Sequence, residues 1–83
     1  MNKVLVTIKV LRLNEEFEVF LPVNKKIVDI ICMLVKSLNE LTNGVFPLTY
    51  SNLLYDIDQG IFYDTSLSLK DAGIDNGKKL ILI

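Results

Sequence analysis

One segment of the chain has the hydrophobic spacing of an α helix, whereas the other patterned segments are typical of β strands. Between Asn24 and Leu41, apolar residues recur at intervals of three and four, with charged residues on the opposite side. This apolar stripe consists of Ile27, Ile30, Ile31, Leu34, Leu38 and Leu41, and Asn24 is the expected N-cap. A single helix can cover only one face of a sheet, so we expect the other face to be open to solvent.

The residues before this helix predict a β-hairpin. Residues 4–11 and 16–21 each alternate with a period of two, and Pro22 ends the second run because it cannot donate a ladder hydrogen bond. If both apolar sets lie on one face, Val10 pairs with Phe17, and Lys9 lies opposite Glu18. This register places an attractive charge pair on the outer face of the hairpin.

The residues after the helix predict three more strands. Residues 53–57 and 61–63 flank a tight turn at Asp58-Gln59-Gly60, and residues 79–83 form the last strand. A chain of 83 residues supports one hydrophobic core, so residues 1–83 are expected to form a single domain. The element order predicts an α+β fold in which one main helix packs on one face of a mixed sheet of four to five strands.

The composition argues against several functional classes. The chain has 9 basic and 10 acidic residues and no histidine, so it lacks both the positive field that binds nucleic acid and the commonest general base and metal ligand. The segment Asp56 to Gly60 departs from a calcium-binding loop, because its glycine comes one position early and the bidentate glutamate is missing. We therefore expect no enzyme activity, no cofactor, no bound metal and no nucleic acid partner.

Cysteine content and hydropathy bear on location. Cys32 is the single cysteine, so no intramolecular disulfide can form, and a small domain without such cross-links is typical of the cytosol. The longest apolar run, residues 27–35, is interrupted by Asp29 and is far shorter than the roughly 20 residues that a bilayer requires. We expect a cytoplasmic protein with no segment inserted in a membrane.

The order and the particular residues of these elements resemble ubiquitin and its β-grasp relatives. The most similar part runs from Ser68 to Leu82, where a turn beginning Ser68-Leu69 is followed by Ile74 and, six residues later, by Leu80 of the last strand. The resemblance covers essentially the whole chain and implies a ubiquitin-like β-grasp fold. Because modifiers, sulfur carriers, adaptors and ferredoxins share this fold, the resemblance does not define the function.

The end of the sequence differs from that of the conjugated relatives, which close with two glycines on a flexible tail. This sequence ends Leu80-Ile81-Leu82-Ile83, so conjugation is not expected. The chain is similar to the YukD/EsaB family, tailless accessory proteins of bacterial type VII (WXG100) secretion systems, in its length, in its hydrophobic ending and in residues 22–30. This resemblance implies a non-conjugating adaptor that binds protein partners, among them membrane components of the secretion system. A modifier or sulfur-carrier relative that has lost its tail is an alternative.

Five aliphatic residues are predicted to form a patch on the open face of the sheet. The resemblance to ubiquitin places a recognition surface at Leu13, Leu54, Ile81 and Ile83, and the alternation of the first strand adds Leu11. Exposed apolar groups in this number are typical of a protein-binding site. A self-associating structural domain, forming a homodimer through the same patch, is an open alternative.

The positive charges before the helix give a weaker signal. Lys25 and Lys26 lie where the helix dipole disfavours positive charge, and they could contact an acidic partner. Charged pairs of this kind are more often solvated surface, which is the interpretation that we adopt.

Overall fold

The computed structural model describes residues 2–49 and 51–83. Within these residues the chain forms five β strands, one α helix and one 3-10 turn. The strands are β1 (Lys3–Val10), β2 (Glu15–Pro22), β3 (Leu54–Asp56), β4 (Ile61–Phe62) and β5 (Lys79–Leu82); the helix α1 spans Ile27–Leu41, and the 3-10 turn spans Leu11–Leu13.

The five strands form one mixed sheet in the order β2-β1-β5-β3-β4. The central pair, β1 and β5, is parallel, and the other neighbouring pairs are antiparallel. Buried residues of α1 and buried residues of β1, β3 and β5 belong to one hydrophobic cluster, so the helix packs on one face of the sheet. This arrangement confirms the predicted α+β architecture.

The register of the β1–β2 hairpin differs from the predicted one by two residues. Ile8 pairs with Phe17, and Lys9 lies opposite Glu16 rather than Glu18. The difference arises because the turn is tight: the 3-10 turn leads directly into Asn14, whose left-handed conformation (φ 52°) returns the chain to the sheet. Since a shift of two residues keeps each side chain on its own face, the predicted faces are correct although the partners are not.

The helix begins later than predicted and is rotated relative to the expected stripe. Its N-cap position is Lys26, not Asn24, and its first N–H groups are satisfied by the backbone of a later loop: Ile27 donates to the Leu67 carbonyl (2.8 Å) and Val28 to the Thr65 carbonyl (2.9 Å). Leu34 is only half-buried, and Leu41 is 73% exposed. The side chains of α1 that are buried in the core are Ile27, Ile30, Ile31, Val35 and Leu38.

The loop after the helix contributes a core residue that the periodicity does not reveal. Phe46 is 1% exposed although it lies in no regular element. Two polar side chains near the end of α1 hold its backbone: the Phe46 N–H donates to Thr42 Oγ1 (2.8 Å), and Asn39 Nδ2 donates to the Phe46 carbonyl (2.7 Å). These bonds fix the point at which the chain turns back over the core.

Candidate docking face of the sheet

The face of the sheet opposite the helix carries a row of neighbouring side chains that crosses all five strands. Successive register partners are Glu16, Lys9, Ile81, Tyr55 and Phe62, from β2 to β4. On β1, β5 and β3 they alternate with buried residues, so they point away from the core. The row is charged at the β2 end and apolar at the β3–β4 end.

Further apolar residues lie beside this row at one end of the sheet. Leu53 and Ile83 exchange two backbone hydrogen bonds of 2.9 Å, which places them directly opposite each other. Leu11 follows Val10, the register partner of Leu82, so Leu11 and Ile83 leave the sheet side by side. Their exposed fractions are 51% for Leu11, 40% for Leu53 and 44% for Ile83.

Together these residues define the outer-face patch, which consists of Leu11, Leu53, Tyr55, Phe62, Ile81 and Ile83. Within the patch, Tyr55 and Phe62 make an edge-to-face contact, with ring centroids 4.9 Å apart at an interplanar angle of 62°. Phe62 is nevertheless 53% exposed. Tyr55 and Ile81 are half-buried and the other four residues are exposed, and an apolar group of this kind on an open sheet face is typical of a protein-binding site.

Charged residues border the patch on the β2 side. Lys79 and Glu16 form an ion pair of 2.7 Å that reaches across β1, and both side chains are about half exposed. The hydrogen bond from Lys79 lowers the pKa of Glu16. Exposed pairs contribute little to stability, so the main effect of this pair is to give the apolar patch a polar rim, as in many protein interfaces.

The structure places three of the five predicted patch residues on the open face and corrects the other two. Leu11, Ile81 and Ile83 lie there as expected. Leu54 does not: it is fully buried in the core, opposite Leu82. Leu13 is half-buried and packs against the core from the 3-10 turn. The outward positions on β3 and just before it are occupied by Tyr55 and Leu53, and neither residue was predicted to belong to the patch.

The prediction that Leu54 faces solvent is wrong because β3 buries an aspartate on the same side of the strand. With Leu54 inward, Asp56 must also point inward, and it is indeed fully buried. Sequence patterns argue against a buried carboxylate, since burial of an unpaired charge is costly. The signal that could have corrected the phase is the combination of Tyr63 and Lys78, which supply partners for this carboxylate.

Asp56 accepts four hydrogen bonds at the end of the β3–β4 hairpin. Tyr63 Oη donates to Oδ2 at 2.5 Å, and Lys78 Nζ lies 2.9 Å from the same atom. The backbone N–H groups of Asp58 and Gln59 donate to Oδ1 at 2.9 and 3.3 Å. Burial by itself would raise the pKa of Asp56, but these hydrogen bonds outweigh it and lower the pKa to about 2.

This cluster has a structural role: it ties the turn at residues 57–60 to Tyr63 and to Lys78 beside β5. The predicted turn at Asp58-Gln59-Gly60 is confirmed, with the Gly60 N–H donating to the Asp56 carbonyl at 2.8 Å. Both partners of the carboxylate are affected as well, because burial and the hydrogen bond to Asp56 raise the pKa of Tyr63, and the hydrogen bond to Asp56 raises the pKa of Lys78.

Acid is expected to destabilise the protein through Asp56. Its pKa is about 2 in the folded chain and is about 3.9 in an unfolded one. A carboxylate whose pKa is lowered by folding stabilises the fold above its unfolded pKa, and this contribution is lost as the pH falls from about 4 to about 2. The urea midpoint of the parent protein should therefore fall over this range more steeply than that of Asp56→Asn. Equal slopes for the two proteins would contradict the assignment.

The remaining predicted residues lie outside the patch. Lys25 and Lys26 are exposed just before α1, and the Lys25 carbonyl accepts a hydrogen bond from the Leu69 N–H at 3.3 Å. Among residues 2–49 and 51–83, no three His, Cys, Asp or Glu side chains come together as a metal site. No helix in the same described part of the chain is long and apolar enough to cross a membrane.

Comparison with known proteins extends the description of the fold. No protein-family model and no curated protein matches the sequence. Solved structures match it widely, with 211 matching chains, so the fold by itself does not select a function.

Three of these structures belong to bacterial EccD proteins or a related membrane complex. The ubiquitin-like domain of EccD5 from Mycobacterium xenopi has a TM-score of 0.78 and 25% identity over 100% of this chain and 94% of that domain. The ubiquitin-like domain of the Mycobacterium tuberculosis type VII secretion system protein EccD1 has a TM-score of 0.71 and 20% identity, over 100% of this chain and 99% of that one. A chain of the MycP5-free ESX-5 inner membrane complex has a TM-score of 0.76 and 21% identity over 98% of this chain, which spans 20% of that longer protein. The protein therefore has the expected ubiquitin-like β-grasp fold and resembles the ubiquitin-like domains of EccD proteins.

Proposed function

We propose that this protein is a non-catalytic accessory protein of a bacterial type VII secretion system, and that it binds a protein component of that machinery through the outer-face patch. The observation that carries the proposal is the similarity to the EccD5 ubiquitin-like domain, which extends over the whole chain at 25% identity. The resemblance of residues 22–30 to the YukD/EsaB family supports the same assignment. A cytoplasmic location is part of the proposal.

The chemistry of the patch indicates what kind of partner it binds. Aromatic and aliphatic side chains form its centre, and Lys9, Glu16 and Lys79 form its charged rim. An interface of this kind gains most of its affinity from apolar groups that are removed from water at the centre, while the rim sets orientation. The expected partner surface is therefore an apolar knob or groove with flanking charges, on a protein of the secretion complex.

A photo-crosslinking experiment tests the proposal in bacteria that carry the secretion system. Phe62 is replaced with p-benzoylphenylalanine, because its exposed ring lies within the patch. The same amino acid at Asp29, which is exposed on α1, serves as the control. We expect a crosslink to a membrane component of the secretion complex from position 62 and not from position 29. Absence of that crosslink, or identical crosslinks from both positions, would contradict the proposal.

A further inference from the structure

The edge of the sheet formed by β2 has unpaired backbone groups. β2 is the terminal strand and spans eight residues. The Val23 N–H donates to the Asn2 carbonyl at 3.1 Å, so Val23 belongs to a hydrogen-bonded pair with the chain before β1. In an antiparallel ladder, every second residue of a strand belongs to such a pair. Residues 15, 17, 19 and 21 therefore bond to β1, and the N–H groups of Glu16, Glu18 and Phe20 point away from the sheet. Such an edge can accept a further strand.

An apolar groove runs beside this edge, between β2 and α1. Its walls are Phe17 and Val19 on β2 and Leu34, Leu38 and Leu41 on α1, and its volume is about 160 Å³. A second hollow continues it toward Leu13 and shares Phe17, Leu38 and Leu41. Phe17, Val19 and Leu34 are half-buried and Leu41 is exposed, so the groove is open to solvent.

Side chains of an added strand would meet two different environments. Alternate residues point to opposite faces of a strand, so one set would enter the groove beside Phe17 and Val19. The other set would lie beside the outward side chains of Glu16 and Glu18. The strand contains Glu15, Glu16 and Glu18 and no basic residue. Within the described residues, only Glu16 of these three has an ion-pair partner. The edge therefore favours an added strand in which apolar residues alternate with lysine or arginine.

We propose that β2 and the groove bind an extended segment of a partner protein, in which apolar and basic residues alternate, as a sixth strand of the sheet. The site is distinct from the outer-face patch, and the inference does not rest on the proposed function. Pro22 limits its length, because proline at an outward position has no N–H to donate. A second copy of this chain is a poor occupant in the antiparallel register centred on Glu18, because that register sets the two Glu18 side chains opposite each other.

The test uses the capped synthetic peptide Lys-Val-Lys-Ile-Lys-Val as the probe, followed by amide hydrogen exchange and NMR shifts. Binding should protect the amides of Glu16, Glu18 and Phe20 from exchange, because they become hydrogen-bonded to the peptide. The peptide Asp-Val-Asp-Ile-Asp-Val should bind at least about tenfold more weakly. Two versions of the lysine peptide, N-methylated on one or the other set of alternate amides, should differ in affinity, because only one set faces β2.

Two protein variants separate the groove from the backbone edge. Leu41→Ser removes an exposed groove wall without disturbing the core and should weaken binding by about threefold or more. Ile81→Asp alters the outer-face patch and should leave peptide binding unchanged. The inference is overturned if no binding occurs at about 1 mM peptide, if the shifts centre on Tyr55 and Ile81, if both N-methylated peptides bind equally, or if the protein dimerises through β2.

Discussion

Replacement of Asp56 with alanine is expected to lower the free energy of unfolding by about 3 kcal/mol, a large fraction of what a domain of this size has. The variant loses the acceptor of four hydrogen bonds, from Tyr63, Lys78 and the N–H groups of Asp58 and Gln59. Tyr63 is buried, and its hydroxyl would lose the acceptor to which it donates in the folded protein. Lys78 remains partly exposed and can turn to solvent, which is why we expect about 3 kcal/mol rather than more.

Urea denaturation followed by circular dichroism measures this effect. Asp58→Ala is the matched control, because Asp58 is an exposed carboxylate in the same turn and should change stability by less than about 0.5 kcal/mol. Tyr63→Phe removes one of the four donors and should fall between the two, at about 1 kcal/mol. If Asp56→Ala were as stable as Asp58→Ala, the buried cluster would not stabilise the hairpin as described.

The parts of the fold that could be predicted from the sequence are those set by periodicity. The hairpin faces and the single helix follow from period-two and period-3.6 patterns, which depend on which residues are apolar and not on exact partners. The hairpin register could not be obtained in this way, because it depends on the left-handed conformation of Asn14 in the turn. The helix start was also wrong, because backbone carbonyls of Thr65 and Leu67, far along the chain, replace the cap that Asn24 was expected to provide.

The candidate docking face could be predicted in outline, and the misplacement of Leu54 has one physical cause. Residues on β5 were placed correctly, since Leu80 and Leu82 are buried and Ile81 lies between them. On β3, Leu53 and Leu54 are adjacent, so the apolar pattern does not decide which of them points into the core. Asp56 lies on the same side of the strand as Leu54, which favours the incorrect interpretation that this side faces solvent. Only the tertiary contacts of Asp56 make its burial favourable, and no local pattern contains them.

Introducing an aspartate at the centre of the outer-face patch is expected to abolish partner binding without unfolding the protein. Ile81 and Tyr55 are register partners with side chains on the open face, so Ile81→Asp or Tyr55→Asp should cost about 1 kcal/mol of stability through lost β propensity and cross-strand contact. In an interface, the same carboxylate would be removed from water against an apolar partner surface, which costs free energy even at position 81, where Lys9 is the register partner. Central interface residues commonly contribute 2 kcal/mol or more, so we expect at least about a 30-fold loss of affinity.

Two controls make this comparison specific. Phe20→Asp places the same charge at an aromatic residue that is 66% exposed on β2, outside the patch, and should retain binding. Sedimentation of the unmodified protein distinguishes a heterologous partner from self-association. A monomer that the substitutions leave monomeric agrees with the proposed adaptor, whereas a dimer that Ile81→Asp dissociates would assign the patch to a homodimer.

The most direct measurement is calorimetric titration of a purified component of the secretion complex, namely the one that is crosslinked from position 62. It is titrated separately with the parent protein, with Ile81→Asp and with Phe20→Asp. All three proteins should give the circular dichroism spectrum of the folded parent. We expect the parent and Phe20→Asp to bind with similar affinity and Ile81→Asp to bind at least about 30-fold more weakly. Equal affinity of folded Ile81→Asp and the parent would contradict the proposal that the outer-face patch is the docking surface.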